Sequence, residues 1–163
     1  MKILGIDPGL TGSGFGCVEN RGRSYYKSYG DTAAPPTKLP LPQRLAAIRN
    51  YTLEVLGKVR PETVAVEMLF SHAEHPKTAL QMAQARGVIL EACAAAGTPV
   101  VEYPARRVKQ AVVGAGGASK DQVLRMVIRH LNLKEAPATQ HEADALALAL
   151  CAHFLAPRPN DKP

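Results

Sequence analysis

Three short strand-like runs joined by glycine turns open this chain, and strands that alternate with helices follow them. That order constrains the fold more than any other feature. Residues 2–7, KILGID, form an apolar run stopped by Pro8 and Gly9. The turn-rich PGLTGSG leads to a second run, FGCVEN at 15–20, and Arg21-Gly22-Arg23 turns into a Tyr-rich third, SYYKSYG at 24–30. Such spacing predicts an antiparallel meander. The four prolines of 33–42 mark a loop. Helical spacing then runs through Leu41, Leu45, Ile48, Thr52, Val55 and Leu56, with Gly57 and Pro61 as stop signals. TVAVE at 63–67 is a buried strand ending in a carboxylate. A loop over 68–76, closed by Pro76, precedes an Ala-rich helix at 77–96 that Gly97 ends. A strand at 99–103, a helix at 105–113 and a flexible GAGG loop at 114–117 follow. Ser119 with Gln122 and Thr139 with Glu142 fit capping boxes that open helices at 120–131 and 140–155. The whole predicts an α/β fold, a mixed sheet with helices on its faces.

The chain has 163 residues, enough for one domain over 1–156 with a disordered tail at 157–163. Apolar residues make up 46% and charged residues 21%, which excludes a largely disordered chain. No apolar run approaches the roughly 18 residues of a membrane span, and the start lacks a signal peptide. A cytoplasmic protein with no membrane partner is expected. Lys and Arg number 20 against 14 Asp and Glu, a net charge of +6 that suits a polyanionic partner such as nucleic acid. Cys17, Cys93 and Cys151 have no paired spacing and are expected to be reduced.

Two predicted strands end in acids, Asp7 and Glu67. Ligands of open α/β sheets collect beyond the carboxyl ends of strands, so the two form part of a candidate metal site. The rest is HEAD at 141–144, where His141 and Asp144 stand three apart on one helix face. Carboxylate oxygens suit Mg²⁺ and Mn²⁺, and one imidazole suits Mn²⁺ at least as well. Taken singly, each acid also fits strand-end solvation or a helix N-terminal charge partner. Asp144 fits these least, because it opens an apolar helix, ALALALCAHF, that must be buried.

GIDPGLTGSGFG, AVEMLF, QARGVIL, VKQAVVGAGGASKDQV and HEADALALAL occur in this order over residues 2–155. Order and spacing resemble the RuvC family of bacterial Holliday-junction resolvases. G-I-D-P-G alone also occurs in actin-like ATPases and sugar kinases, which need two such domains and a longer chain. The resemblance implies a ribonuclease H-like fold and a homodimer. It implies binding of four-way DNA junctions, cut by symmetric paired nicks in homologous recombination and repair. Mg²⁺ or Mn²⁺ would serve as cofactor, two ions per site, and the product would carry a 5′ phosphate. RuvA and RuvB would be the branch-migration partners. The family's acids fall on Asp7, Glu67 and Asp144. His141 stands where relatives often carry Asp, and its role stays open between metal ligand and positioner of water.

Lys109 and Lys120 match basic positions of the family, and Arg86, Arg106, Arg107, Arg125 and Arg129 add to the field. Gly114, Gly116 and Gly117 would let backbone N–H groups approach phosphates. Phe70 matches an aromatic that stacks on bases at the junction, and its polar surroundings favour exposure. His72, Glu74 and His75 lack a further ligand to complete a second metal site. Leu80, Ala83, Gly87, Leu90 and Ala94 lie at helical spacing, as core or as a dimer seam. Two competing functions remain: a YqgF-type nuclease of the same superfamily, and a DNA-binding module whose site has decayed.

Overall fold

Period-two alternation along the first strand sorts the molecule into two layers of helix around one sheet. The computed structural model describes residues 1–22, 24–68 and 76–156, without the side chains of residues 76–78. Phe70, His72, Glu74, His75 and the 157–163 tail lie outside the described residues. β1 (Lys2–Asp7) pairs antiparallel with β2 (Ser13–Arg21), which pairs antiparallel with β3 (Ser24–Ala33). On its other side β1 pairs parallel with β4 (Thr63–Glu67), which pairs parallel with β5 (Val100–Tyr103). The spatial order is β3-β2-β1-β4-β5. This is the mixed sheet the sequence predicts.

Leu4 and Ile6 of β1, Phe15 and Cys17 of β2, and Val64 and Val66 of β4 face one core. Against it pack Ile48, Val55 and Leu56 of α1 (Leu41–Val59) and Ala85, Ile89 and Cys93 of α2 (Pro76–Ala95). Ile3, Val18 and Ala65 face the opposite core, with α3 (Ala105–Val113), α4 (Lys120–Leu131) and α5 (Gln140–Leu155). Every residue of α5 from Glu142 to His153 except Asp144 is buried. A helix apolar all round has no face to give to water, so it sits in the middle of its layer.

Glycines let α5 touch the sheet backbone. A Cβ at Gly5 would stand 1.9 Å from the Ala145 carbonyl oxygen, and one at Gly14 would stand 1.9 Å from that of His141. Gly14→Ala therefore has to lift the first turn of α5, and we expect a loss of about 1–3 kcal/mol or more. Gly57→Ala, in the last turn of α1 with nothing within 4 Å of the added methyl, is expected to stabilise by up to roughly 0.5–1 kcal/mol. Paired denaturant titrations check both signs. Equal midpoints would refute the close packing.

Several local expectations are corrected. The β2–β3 hairpin runs on to a Ser13↔Ala33 pairing, so both strands are longer than the predicted runs. Gly57 lies inside α1. The stop is Arg60, left-handed at φ 51°, whose N–H bonds the Leu56 carbonyl just before Pro61. Pro76 opens α2 instead of closing a loop, as a first-turn proline can. The Ser119–Gln122 capping box is complete. At Thr139 only half forms: its hydroxyl accepts from the Glu142 N–H, while the Glu142 carboxylate turns to Ala138 and Lys27. The small-residue stripe of α2 turns away from the core, with Leu80, Ala83, Gly87 and Ala94 exposed. Among the described residues no helix is long and apolar enough to cross a membrane.

Candidate active site

Strand order brings the two strand-end acids together. β1 and β4 are parallel neighbours in the register Ile6↔Val66. Asp7 and Glu67 are the next residues of each strand. Alternation puts Asp7 on the face of Ile3 and Glu67 on the face of Ala65, the side that α5 covers. There the first turn of α5 meets them. His141 Nδ1 donates to Asp7 Oδ2 at 2.7 Å. Asp144 accepts from Lys120 Nζ at 3.1 Å and from Gln140 Nε2 at 2.8 Å. A cleft of 190 Å³ opens beside them, with Glu67, Asp144, Lys109 and Lys120 as its charged lining over Val108, Val123, Ala147 and Leu148.

Burial and crowding perturb these groups. Burial holds Asp7 above the ordinary carboxylate range; the His141 hydrogen bond opposes this and the Asp144 charge adds to it. Glu67 is pushed up to about 7, first by burial and then by the charges of Asp7 and Asp144. The bond to Asp7 raises His141. For Lys120 partial burial works downward, but Asp144, Asp7 and Glu67 outweigh it and the ammonium is held more firmly charged. Carboxylates pressed together out of water are the electrostatic signature of a functional site.

Asp7 and Glu67 end neighbouring strands, and the first turn of α5 brings His141 to Asp7 and Asp144 to the cleft that Glu67 lines. Among the described residues, no three Asp, Glu, His or Cys side chains stand together as a ligand cage. His141 holds Asp7, and Lys120 with Gln140 holds Asp144, so these two acids are each bonded to a donor. The donor chemistry nevertheless fits a hard divalent cation: carboxylate oxygens plus one imidazole, with the acids mutually repelling.

A family model of crossover junction endodeoxyribonuclease RuvC matches residues 3–153. The chain belongs to the RuvC family. The RuvC of Moorella thermoacetica is 48% identical over 158 residues, covering 96% of this chain and 93% of that protein. The RuvC of Syntrophomonas wolfei is 45% identical over 152 residues, covering 93% and 87%. Thermus thermophilus RuvC in complex with a Holliday junction substrate superposes with a TM-score of 0.88 at 41% identity, covering 94% of this chain and 93% of that one.

The remaining candidate residues divide. Lys109 and Lys120 line the cleft. Arg106, Arg107, Arg125 and Arg129 are exposed on α3 and α4, in the same layer. Arg86 is not brought to the cleft: it lies on α2, across the sheet, and pairs with Glu102 at 2.6 Å. The GAGG loop, expected to be flexible, is tied by Gln110, which donates to the Gly114 carbonyl at 2.8 Å and accepts from the Gly116 N–H at 3.1 Å. Residue-by-residue reasoning missed Gln110, Gln140, Lys27 and the buried side of Glu142. Only the T-x-x-E spacing pointed to Glu142, and it pointed to a cap.

Proposed function

We propose that this chain is a metal-dependent endonuclease that resolves four-way DNA junctions by symmetric paired nicks, with residues 1–156 as the nuclease domain. One observation carries the reading: in a member of a junction-endonuclease family, Glu67 at the end of β4 and Asp144 on α5 line one cleft with Lys109 and Lys120. Asp7, Glu67 and Asp144 would hold Mg²⁺ or Mn²⁺, two ions per site, with His141 as a fourth ligand or as the group that orients water. A divalent ion there supplies Lewis acidity, which lowers the pKa of water and offsets charge growing on the phosphate.

The chain's own residues do the rest. Asp7 orients the His141 ring through Nδ1 and leaves Nε2 for a ligand or for water. Lys109 and Lys120 meet the negative phosphate and offset the acids that would otherwise repel it. The apolar floor of the cleft keeps part of the site dry, which strengthens each charge. Phe70, three residues past Glu67, is proposed to stack on a base at the crossover. The outward stripe of α2 is the proposed dimer seam. RuvA and RuvB are the proposed partners, and the cytoplasm the proposed place of work.

A four-way junction and a linear duplex of the same sequence, each with Mg²⁺, Mn²⁺ or EDTA, test the reading. Cleavage of the junction alone, and only with metal, is expected. Equal cutting of the duplex would favour a nuclease with another target. Binding without cutting would favour a decayed site. If His141 is a ligand, His141→Asp shifts the Mn²⁺ to Mg²⁺ activity ratio toward Mg²⁺.

Lys120→Ala separates phosphate contact from structure. Log affinity for the junction should fall with log salt at about −0.9 per neutralised phosphate. Loss of Lys120 should weaken binding and flatten the slope by about one unit per site. An unchanged slope would remove Lys120 from the DNA backbone.

A further inference from the structure

Glu142 stands between His141 and Asp144 and is only 3% exposed. Both of its oxygens are engaged. Lys27 Nζ donates to Oε1 at 2.5 Å, and the Ala138 N–H donates to Oε2 at 2.9 Å. Neither Glu142 nor Lys27 is among the residues that line the cleft. A buried ion pair is also a weak source of stability, because desolvation offsets much of the attraction. The pair therefore calls for a role in geometry.

β3 is shaped to deliver Lys27. The β2–β3 register slips between Cys17 and Val18: Cys17 opposes Tyr29 and Val18 opposes Lys27, which leaves Ser28 as an extra residue. In a regular strand Lys27 and Thr32, five apart, would face opposite sides of the sheet. The bulge restores both to the α5 side. There the Thr32 hydroxyl shares a hydrogen bond of 2.6 Å with Thr139, the N-cap of α5. Gly30 lies between them and leaves the room the pair needs. A Cβ on Gly30 would stand 2.2 Å from Glu142 Oε1 and 2.5 Å from Lys27 Cε.

A bulge, a glycine and two side-chain bonds from one strand thus converge on the first turn of α5. We propose that the Lys27–Glu142 pair positions that turn for cleavage, acting through His141 and Asp144. The proposal rests on the nuclease reading above. Lys27 and Glu142 act as positioning residues, through the turn and not from the lining of the cleft. A small shift of the turn carries His141 off Asp7 and Asp144 off the cleft at once, and a misplacement of about 1 Å can cost about a hundredfold in rate.

The test uses the full chain and two variants. Lys27→Met with Glu142→Leu removes both charges while keeping similar volume, a change that buried pairs often tolerate in folding. Gly30→Ala keeps both charges and crowds the pair, since its Cβ would meet Glu142 Oε1 and Lys27 Cε. Each is expected to lower single-turnover junction cleavage roughly tenfold or more at saturating enzyme and Mn²⁺. Each should also weaken Mn²⁺ binding several-fold by electron paramagnetic resonance without DNA. Junction affinity should stay at the wild-type value, and so should the melting temperature of the double variant. A folded double variant that binds Mn²⁺ and cleaves like wild type overturns the proposal. Should the double variant melt far below wild type, Gly30→Ala decides by the same criterion. A wild-type chain that neither binds Mn²⁺ nor cuts the junction overturns the nuclease reading and the positioning role with it.

Discussion

Glu67→Gln is expected to make the protein more stable at pH 8 and inactive in cleavage. The Glu67 carboxyl ordinarily titrates at 4.5 and is pushed up to about 7 by burial and by the charges of Asp7 and Asp144. A raised acid binds its proton more tightly in the folded state than in the unfolded chain. Wild-type stability from this group is therefore present below pH 4.5, declines as pH rises, and is lost above about 7. Gln carries no charge and escapes that decline. The variant should match wild type near pH 4.5 and exceed it by up to about 3 kcal/mol at pH 8, at 1.36 kcal/mol per pKa unit. In melting temperature this is several degrees for a chain of this size. Thermal melts of both proteins across pH 4.5–8 check the curve. Parallel curves would put Glu67 in water and remove the crowding of the site.

Asp7→Asn should reduce junction cleavage below roughly a thousandth of wild type, about 4 kcal/mol of barrier. It should leave junction affinity unchanged or slightly tighter, because it removes a negative charge and no cation. Asp7 also holds the His141 proton through the 2.7 Å bond. The variant should thus lower the His141 pKa, which is raised in wild type by that bond. Gel-shift binding, single-turnover cleavage and a histidine NMR titration report the three effects separately. Cleavage at wild-type rate would remove Asp7 from the chemistry. An unmoved His141 titration would dissolve the Asp7–His141 pair.

The parts legible in the sequence were those set by local chemistry. Short apolar runs placed β1 and β4, and the acid ending each was visible as a break in the run. Ser119 and Gln122 marked a helix start because both halves of the cap are neighbours in sequence. The buried α5 was legible because ALALAL offers no polar face. What stayed hidden depends on distant pairing. Nothing between Asp7 and Glu67 announces that their strands lie side by side. The bulge that aims Lys27 at Glu142 arises from β2–β3 register, and Thr139-x-x-Glu142 imitated a capping box while Glu142 served Lys27. Arg60 at positive φ is invisible to a rule that looks for glycine there. Arg86 carried the right charge, but α2 lies across the sheet and Glu102 holds it.

The central claim is that this cleft, one copy in each protomer of the proposed dimer, cuts a four-way junction symmetrically. The direct measurement maps the nicks on a junction labelled in turn on each of its four strands, with metal and under single-turnover conditions. The account predicts two nicks at matching positions in two opposite strands of like polarity, each with a 5′ phosphate, and none in a duplex of the same sequence. Nicks scattered over all four strands, or equal cutting of the duplex, would contradict it.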